Sequence, residues 1–195
     1  GTPREVIRRI EADTTKMLAA PEVTAFFPRW GVELYNLGTE EFTARYLADI
    51  DKFDKIDDGL NNAINPDLSK FFGHKGRLLM YHGWNDQLIA PGNSINYYSS
   101  VAKKLGGVPK IDQNFRLFMA PGMTHCNGGE GPSSFDAVTL MEQWVEQSKA
   151  PEKMIASHST AGNVDRTRPL CPYPQEARYS GQGSVDDAAN FTCRQ

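Results

Sequence analysis

The sequence has no long apolar run, no excess of positive charge and only three cysteines among its 195 residues. No stretch approaches the roughly 18 consecutive apolar residues that a membrane-crossing helix needs. Lys and Arg number 21 against 24 Asp and Glu, for a net charge of −3. That balance offers no basic face for nucleic acid, so neither a membrane nor a nucleic acid is an expected partner. The N-terminal stretch GTPREVIRRI has no signal-peptide core, though a processed or partial chain lacks one equally. Internal repeats and low-complexity tracts are also missing.

What is present is ordinary globular composition, with 39% hydrophobic and 23% charged residues. That is enough apolar content to bury a core and argues against wholesale disorder. The three cysteines are Cys126, Cys171 and Cys193, and their spacing matches no compact zinc pattern. Cys171 and Cys193 bracket a Pro/Gly/Ser-rich segment with little to bury. A bridge between them would order it, contributing about 3 kcal/mol by closing the loop, and implies an oxidising compartment. Cys126 is then left over, free or paired with another chain. Asn190-Phe191-Thr192 forms a short glycosylation sequon of the kind that also arises by chance.

Residues 1–60 read as helical. Thr2-Pro3-Arg4-Glu5 has the form of a capping box with a first-turn proline. Val6, Ile7, Ile10, Met17 and Leu18 follow on one face, up to Pro21. Thr39 with Glu40 and Glu41 opens a second helix, carrying Phe42, Tyr46, Leu47 and Ile50 on one side. Beyond residue 60 the pattern alternates. RLLMYH (77–82) reads as a strand. A helix opened by Pro91 buries Ile95, Tyr98, Val101, Ala102 and Leu105 and stops at Gly106-Gly107. FRLFMA (115–120) reads as a second strand, and a third helix turns Phe135, Val138, Met141 and Val145 inward. Alternating short apolar strands and helices define an α/β class with a parallel sheet. Two strands are too few for such a sheet, so the fold is expected to be incomplete without further chain. The 151–195 tail reads as an extended wrap.

Ligands of open α/β sheets bind beyond the carboxyl ends of the strands, and two chemically capable residues sit at such ends. Asp86 follows the first strand in YHGWNDQLIAPGNS, and His125 follows the second in FMAPGMTHC. A carboxylate can fix an imidazole's tautomer, and the imidazole can then take a proton from a serine; its ordinary pKa near neutrality suits that task. Acid before histidine is the order of the last two members of an α/β-hydrolase triad. Aspartates and histidines are common in such loops, and taken in isolation the pair is more often ordinary than catalytic. His74 reads as a surface residue, His82 as a strand-end residue and His158 as solvated, while Trp84 fits a packing role. No Gly-x-Ser-x-Gly turn is present, and neither Ser94 nor Ser133-Ser134 lies in a strand-to-helix elbow. The triad order puts a nucleophile upstream of this sequence.

Four stretches, LLMYHGWNDQLIAPGNSINYY, RLFMAPGMTHCNGGEGPSSFDAVTLMEQWVE, KAPEKMIASHS and RTRPLCPYPQEARYSGQG with DDAANFTC, together resemble the tannase/feruloyl esterase family of serine esterases over roughly residues 60–195, in order. The resemblance implies the C-terminal part of an α/β-hydrolase fold. Residues 1–60 would be the end of a helical lid, 61–150 the last strands and helices of the core, and 151–195 a disulfide-stapled tail. It implies Asp86 as triad acid and His125 as triad base. It also implies Cys126 as one half of a bridge to a cysteine beside the nucleophilic serine, and Cys171–Cys193 as a C-terminal disulfide. Lid packing is the preferred reading of Phe26, Phe27 and Trp30; a face toward an aromatic acyl group is the other, and Trp84 is a further pocket candidate. The expected activity is secreted carboxylic ester hydrolysis of gallate- or ferulate-type esters. No cofactor serves catalysis and no metal is held here, with a structural calcium in the part of the lid not represented. The expected partners are a small aromatic ester and an N-terminal segment bearing the serine, which together with its cysteine, the oxyanion hole and the calcium loop is not found here. The chain would then be one product of a lid cleavage, or a fragment. Against this stand a non-catalytic binding module derived from such an enzyme, and an α/β hydrolase of another kind, such as a peptidase.

Overall fold

A computed structural model describes residues 2–57 and 62–195. It divides into two compact units, residues 1–63 and 64–195. The expected boundary at residue 60 lies outside the described residues, and residues 64–150 and 151–195 belong to one unit.

The first unit is helical: α1 (Arg4–Leu18), α2 (Pro21–Phe26), a 3₁₀ turn (Phe27–Trp30) and α3 (Thr39–Ile56). The expected capping box does not form; Pro3 occupies the N-cap of α1 without a side-chain bond. A longer-range cap replaces it at α3, where Glu11 accepts from the Thr39 backbone N–H at 3.1 Å and from its hydroxyl at 2.9 Å. Phe42, Tyr46, Leu47 and Ile50 do share a side of α3, but all are exposed, and no residue of these helices is buried. The unit therefore has amphipathic helices without a closed core of its own.

The second unit is built around a parallel strand pair, β1 (Leu78–Gly83) and β2 (Phe115–Ala120), in register from Leu78–Phe115 to Gly83–Ala120. The short helix α4 (Ser69–Gly73) precedes them. The crossover runs through α5 (Gly92–Leu105) and the single turn α6 (Val108–Ile111). β2 is buried on both faces, as a strand of a covered parallel sheet should be. Phe115, Leu117 and Met119 pack with Tyr98, Val101 and Ala102 of α5 and Ile111 of α6. Phe118 and Ala120 face Met123, Met154, Ala156 and Leu170 on the other side. Burying each such large side chain contributes about 1.5–3 kcal/mol, which pins both strand ends where the loops of interest leave. The outer edge of β2 is covered by the tail: the Tyr173 N–H donates to the Leu117 carbonyl at 2.7 Å. The second edge of β1 has no ladder partner among the described residues.

Two sequence expectations need correction. In α7 (Ala137–Gln147) the inward residue is Trp144, 1% exposed, whose indole N–H donates to the Gln113 carbonyl at 3.2 Å. Phe135, Ala137 and Leu140 join the core beneath it, whereas Val138 and Val145 point outward, 70% and 61% exposed. The helix is rotated so that its largest apolar side chain is the one desolvated. The tail, in turn, is not a plain wrap. β3 (Met154–Thr160) and β4 (Asn163–Leu170) form an antiparallel hairpin. Its two-residue turn, Ala161-Gly162, has positive φ at both positions, the geometry that matches strand twist. β5 (Glu176–Tyr179) and β6 (Phe191–Arg194) pair antiparallel as well. Cys171 and Cys193 are disulfide-bonded across this tail. Asn190 is half-buried, and its amide donates to the Ser184 carbonyl at 2.9 Å.

Candidate active site

Both loops that follow the parallel strands converge on Asp86. β1 ends at Gly83, where a Cβ would run into the carbonyl oxygen of Met123; only glycine lets the second loop lie against the strand end. The Trp84 N–H donates to the Ala120 carbonyl at 3.0 Å and the Asn85 N–H to the Met123 carbonyl at 3.0 Å, tying the loops together. Asp86 then folds its side chain back on its own loop. One carboxylate oxygen, Oδ1, accepts from the backbone N–H groups of Leu88 and Ile89, both at 2.8 Å. This is the local side-chain-to-backbone turn that aspartate favours.

The second loop begins at Pro121-Gly122 and drives the Met123 side chain into the core, 1% exposed. Thr124 N–H donates to the Gly128 carbonyl at 3.1 Å, and Gly128 N–H to Ser133 Oγ at 3.0 Å, so the loop is closed on itself. This anchoring carries His125 out over the strand ends. Its Nδ1 lies 2.9 Å from Asp86 Oδ2. Because a carboxylate can only accept, Nδ1 carries the hydrogen and donates. In the neutral ring Nε2 is then the basic nitrogen, and it has no hydrogen-bond partner among the described residues. The His125 side chain is 39% exposed and that of Asp86 5%. Burial pushes the Asp86 carboxyl upward, but the Ile89 N–H, the His125 bond, the Leu88 N–H and the charge of His125 outweigh it. The group is held well below the ordinary 3.8 and is ionised at neutral pH.

Cys126 is exposed and free. The Asn127 N–H donates to the His125 carbonyl at 2.8 Å, closing a tight turn about Cys126, whose φ of +65° lies in the left-handed region. A non-glycine residue there is held against local preference, a feature that clusters at functional sites.

The other expected residues are distributed as follows. Trp84, 46% exposed, lines a 560 Å³ cavity with Gly122, Glu130, Arg166, Arg168 and Tyr173. Phe26, Phe27 and Trp30 cluster with one another in the first unit, with Phe26–Phe27 ring centroids 5.4 Å apart. His158 bonds Asp165 Oδ1 at 2.6 Å on the β3–β4 hairpin. His82 does lie at the end of β1; it bonds Ser94 and also Asp86, contacts that its place in the sequence did not disclose. The signal available was its position four residues before Asp86. No group of three or more His, Cys, Asp or Glu among the described residues is placed to hold a metal ion. No described helix is long and apolar enough to cross a membrane.

An acid and a histidine joined beyond the carboxyl ends of a parallel strand pair is an arrangement of the α/β-hydrolase type. A model of the family described as tannase and feruloyl esterase matches residues 15–194, and the chain belongs to that family. It is 39% identical over 136 residues to mono(2-hydroxyethyl) terephthalate hydrolase of Piscinibacter sakaiensis, an alignment covering 68% of this chain and 22% of that protein. To a probable feruloyl esterase of Arthroderma benhamiae it is 41% identical over 148 residues, covering 74% and 27%. Among solved structures, feruloyl esterase B from Aspergillus oryzae superposes with a TM-score of 0.62 at 33% identity, covering 67% of this chain and 29% of that one. The chain thus spans about a quarter of the length of these relatives.

Proposed function

We propose that this chain supplies the acid and the base of a secreted serine esterase that cleaves esters of aromatic acids, the nucleophilic serine lying in a segment outside it. The observation that carries the reading is the Asp86–His125 bond, which leaves Nε2 as the basic nitrogen of an exposed imidazole. A serine hydroxyl brought to that nitrogen would lose its proton to His125 as its oxygen bonds the ester carbonyl carbon. The tetrahedral intermediate then collapses, and His125 returns the proton to the departing alcohol, leaving an acyl-enzyme. Water then bonds the acyl carbon as Nε2 takes its proton, the bond to the serine oxygen breaks, and the proton returns to that oxygen as the acid departs. Asp86 stays ionised throughout, orienting the ring and stabilising its charged form.

Three further features support an incomplete site that other chain completes. Among the described residues, one edge of β1 has no ladder partner, the helices of the first unit bury no residue, and Cys126 stands free in a left-handed turn next to His125. On this reading Cys126 bridges to a cysteine beside the serine, holding nucleophile and base together. The Cys171–Cys193 bond accords with an oxidising, extracytoplasmic setting, and the names of the relatives point to ferulate- or terephthalate-type acids. On this proposal Trp84, which lines the 560 Å³ cavity, contributes to acyl recognition. The test uses the full-length enzyme on gallate, ferulate and peptide substrates. Turnover of one of the aromatic esters, abolished in a folded His125→Ala variant, is the expected result; unchanged turnover in that variant overturns the site.

A further inference from the structure

Asp86 Oδ2 serves two imidazoles. Besides His125 Nδ1 at 2.9 Å, it lies 3.2 Å from Nε2 of His82, which is also 3.1 Å from the Ile89 carbonyl. Resting on the triad reading of Asp86 and His125, we propose that His82, held by the hydroxyl of Ser94, is the positioning residue that aims the Asp86 carboxylate at His125.

The hydrogen positions follow from the partners. Both neighbours of His82 Nε2 are acceptors, so Nε2 carries the hydrogen and shares it between them. The neutral ring then offers its lone pair at Nδ1, 2.7 Å from Ser94 Oγ, and the Ser94 hydroxyl donates into it. Every polar atom of the ring is engaged, as burial demands: the His82 side chain is 10% exposed, and an unpaired polar atom there would be costly. Asp86 is locked from both sides. Oδ1 is held by two backbone N–H groups of its own loop. Oδ2 is held by a residue of β1, and that residue is held by the first turn of α5. His125 rides on a glycine-rich loop and is far more exposed, so the rigid half of the pair is the carboxylate. A reacting group on a loop needs such a fixed partner to stay in line.

The shared oxygen also sets how strongly Asp86 stabilises a charged His125. The titratable side chains that contact Asp86 are His82, from β1, and His125, from the loop after β2. No other charged side chain pairs with the carboxylate among the described residues. Removing the His82 donor leaves more of the carboxylate's charge for the His125 imidazolium.

The experiment measures pH profiles of kcat and kcat/KM for an aromatic ester in the full-length enzyme. It compares His82→Ala, His82→Gln and Ser94→Ala with His125→Ala. For His82→Ala we expect kcat to fall about tenfold, the scale of losing a hydrogen bond to a charged group, with KM unchanged. The acid limb of kcat/KM should move to higher pH. His82→Gln, whose amide N–H can replace the donor, restores most of kcat, and Ser94→Ala moves the limb the same way by less. A folded His82→Ala enzyme with wild-type kcat and an unmoved acid limb overturns the proposal. So does a Ser94→Ala enzyme as inactive as His125→Ala, which would make Ser94 a nucleophile. Should His82→Ala fail to fold, an unmoved limb in Ser94→Ala overturns it instead. Activity surviving His125→Ala defeats the triad reading itself and this proposal with it. That differs from inactive His125→Ala beside an unaltered His82→Ala, where only the role of His82 fails.

Discussion

Asp86→Asn is the perturbation whose outcome the geometry constrains most tightly. The carboxylate receives four donors: the N–H groups of Leu88 and Ile89 at Oδ1, and the rings of His125 and His82 at Oδ2. An asparagine must put its NH₂ group in one of those two places. At Oδ1 it would meet two backbone N–H groups at 2.8 Å, and backbone donors cannot change character. The amide oxygen therefore goes to Oδ1, and the NH₂ group faces the two imidazoles. His125 can keep a hydrogen bond only by moving its hydrogen from Nδ1 to Nε2, which removes the basic nitrogen from the reaction. The expected loss in kcat is on the order of 10⁴-fold, the scale of a wrong-tautomer triad histidine. Steady-state kinetics on an aromatic ester with the full-length enzyme reads it, and thermal unfolding verifies that the variant is folded. A folded Asp86→Asn enzyme within tenfold of wild-type kcat would refute the tautomer argument.

Four further outcomes follow from the packing and the charges. Gly83→Ala forces a Cβ against the Met123 and Thr124 carbonyls; we expect a loss of roughly 1–3 kcal/mol from overpacking, read by urea unfolding, and reduced turnover as the His125 loop shifts. Trp144→Ala empties the site under α7 and should cost about 3–5 kcal/mol by the same measurement, whereas Val138→Ala should be near neutral because that side chain is exposed. Replacing Cys171 and Cys193 by serine should lower stability by about 3 kcal/mol through the longer reach of the unfolded chain; no change in the urea midpoint would contradict it. Asp86, Asp136 and Asp165 are all held below their ordinary 3.8. Asp136 is lowered by the Thr139 backbone and hydroxyl donors at the start of α7, and Asp165 by Thr160 and His158. Their folded-state values being depressed, their stabilisation is fully present above pH 3.8 and is lost as pH falls through the folded values. Thermal stability should therefore drop on acidification below pH 4, and a flat profile there would count against these bonds.

The parallel strand pair and its crossover were legible because their residues carry little ambiguity. LLMYH and FRLFMA are apolar runs of strand length, Pro91 and Gly106-Gly107 bound the intervening helix, and Asp86 and His125 fall at the strand ends. The rotation of α7 was not legible, because Val138, Met141 and Val145 satisfy a helical period as well as Leu140 and Trp144 do. Only the third-dimensional fit of the indole against Gln113 decides between them. The tail strands are not legible because Arg, Thr, Ser and Asp alternate there with few apolar residues, and pairing is set by the Ala161-Gly162 turn and the disulfide rather than by a hydrophobic pattern. The contacts of His82 are hidden for a similar reason. In sequence it is one more polar residue at the end of a strand, and two acceptors and a serine meet it only after the chain has turned twice.

The most direct test of the central claim is to react the native full-length protein with a serine-directed phosphonate and map the modified residue by mass spectrometry under non-reducing conditions. We expect a single labelled serine outside residues 1–195, adjacent to a cysteine disulfide-bonded to Cys126, with labelling abolished in His125→Ala. Label on Ser94, Ser133 or Ser134, or labelling that is indifferent to His125, would contradict it.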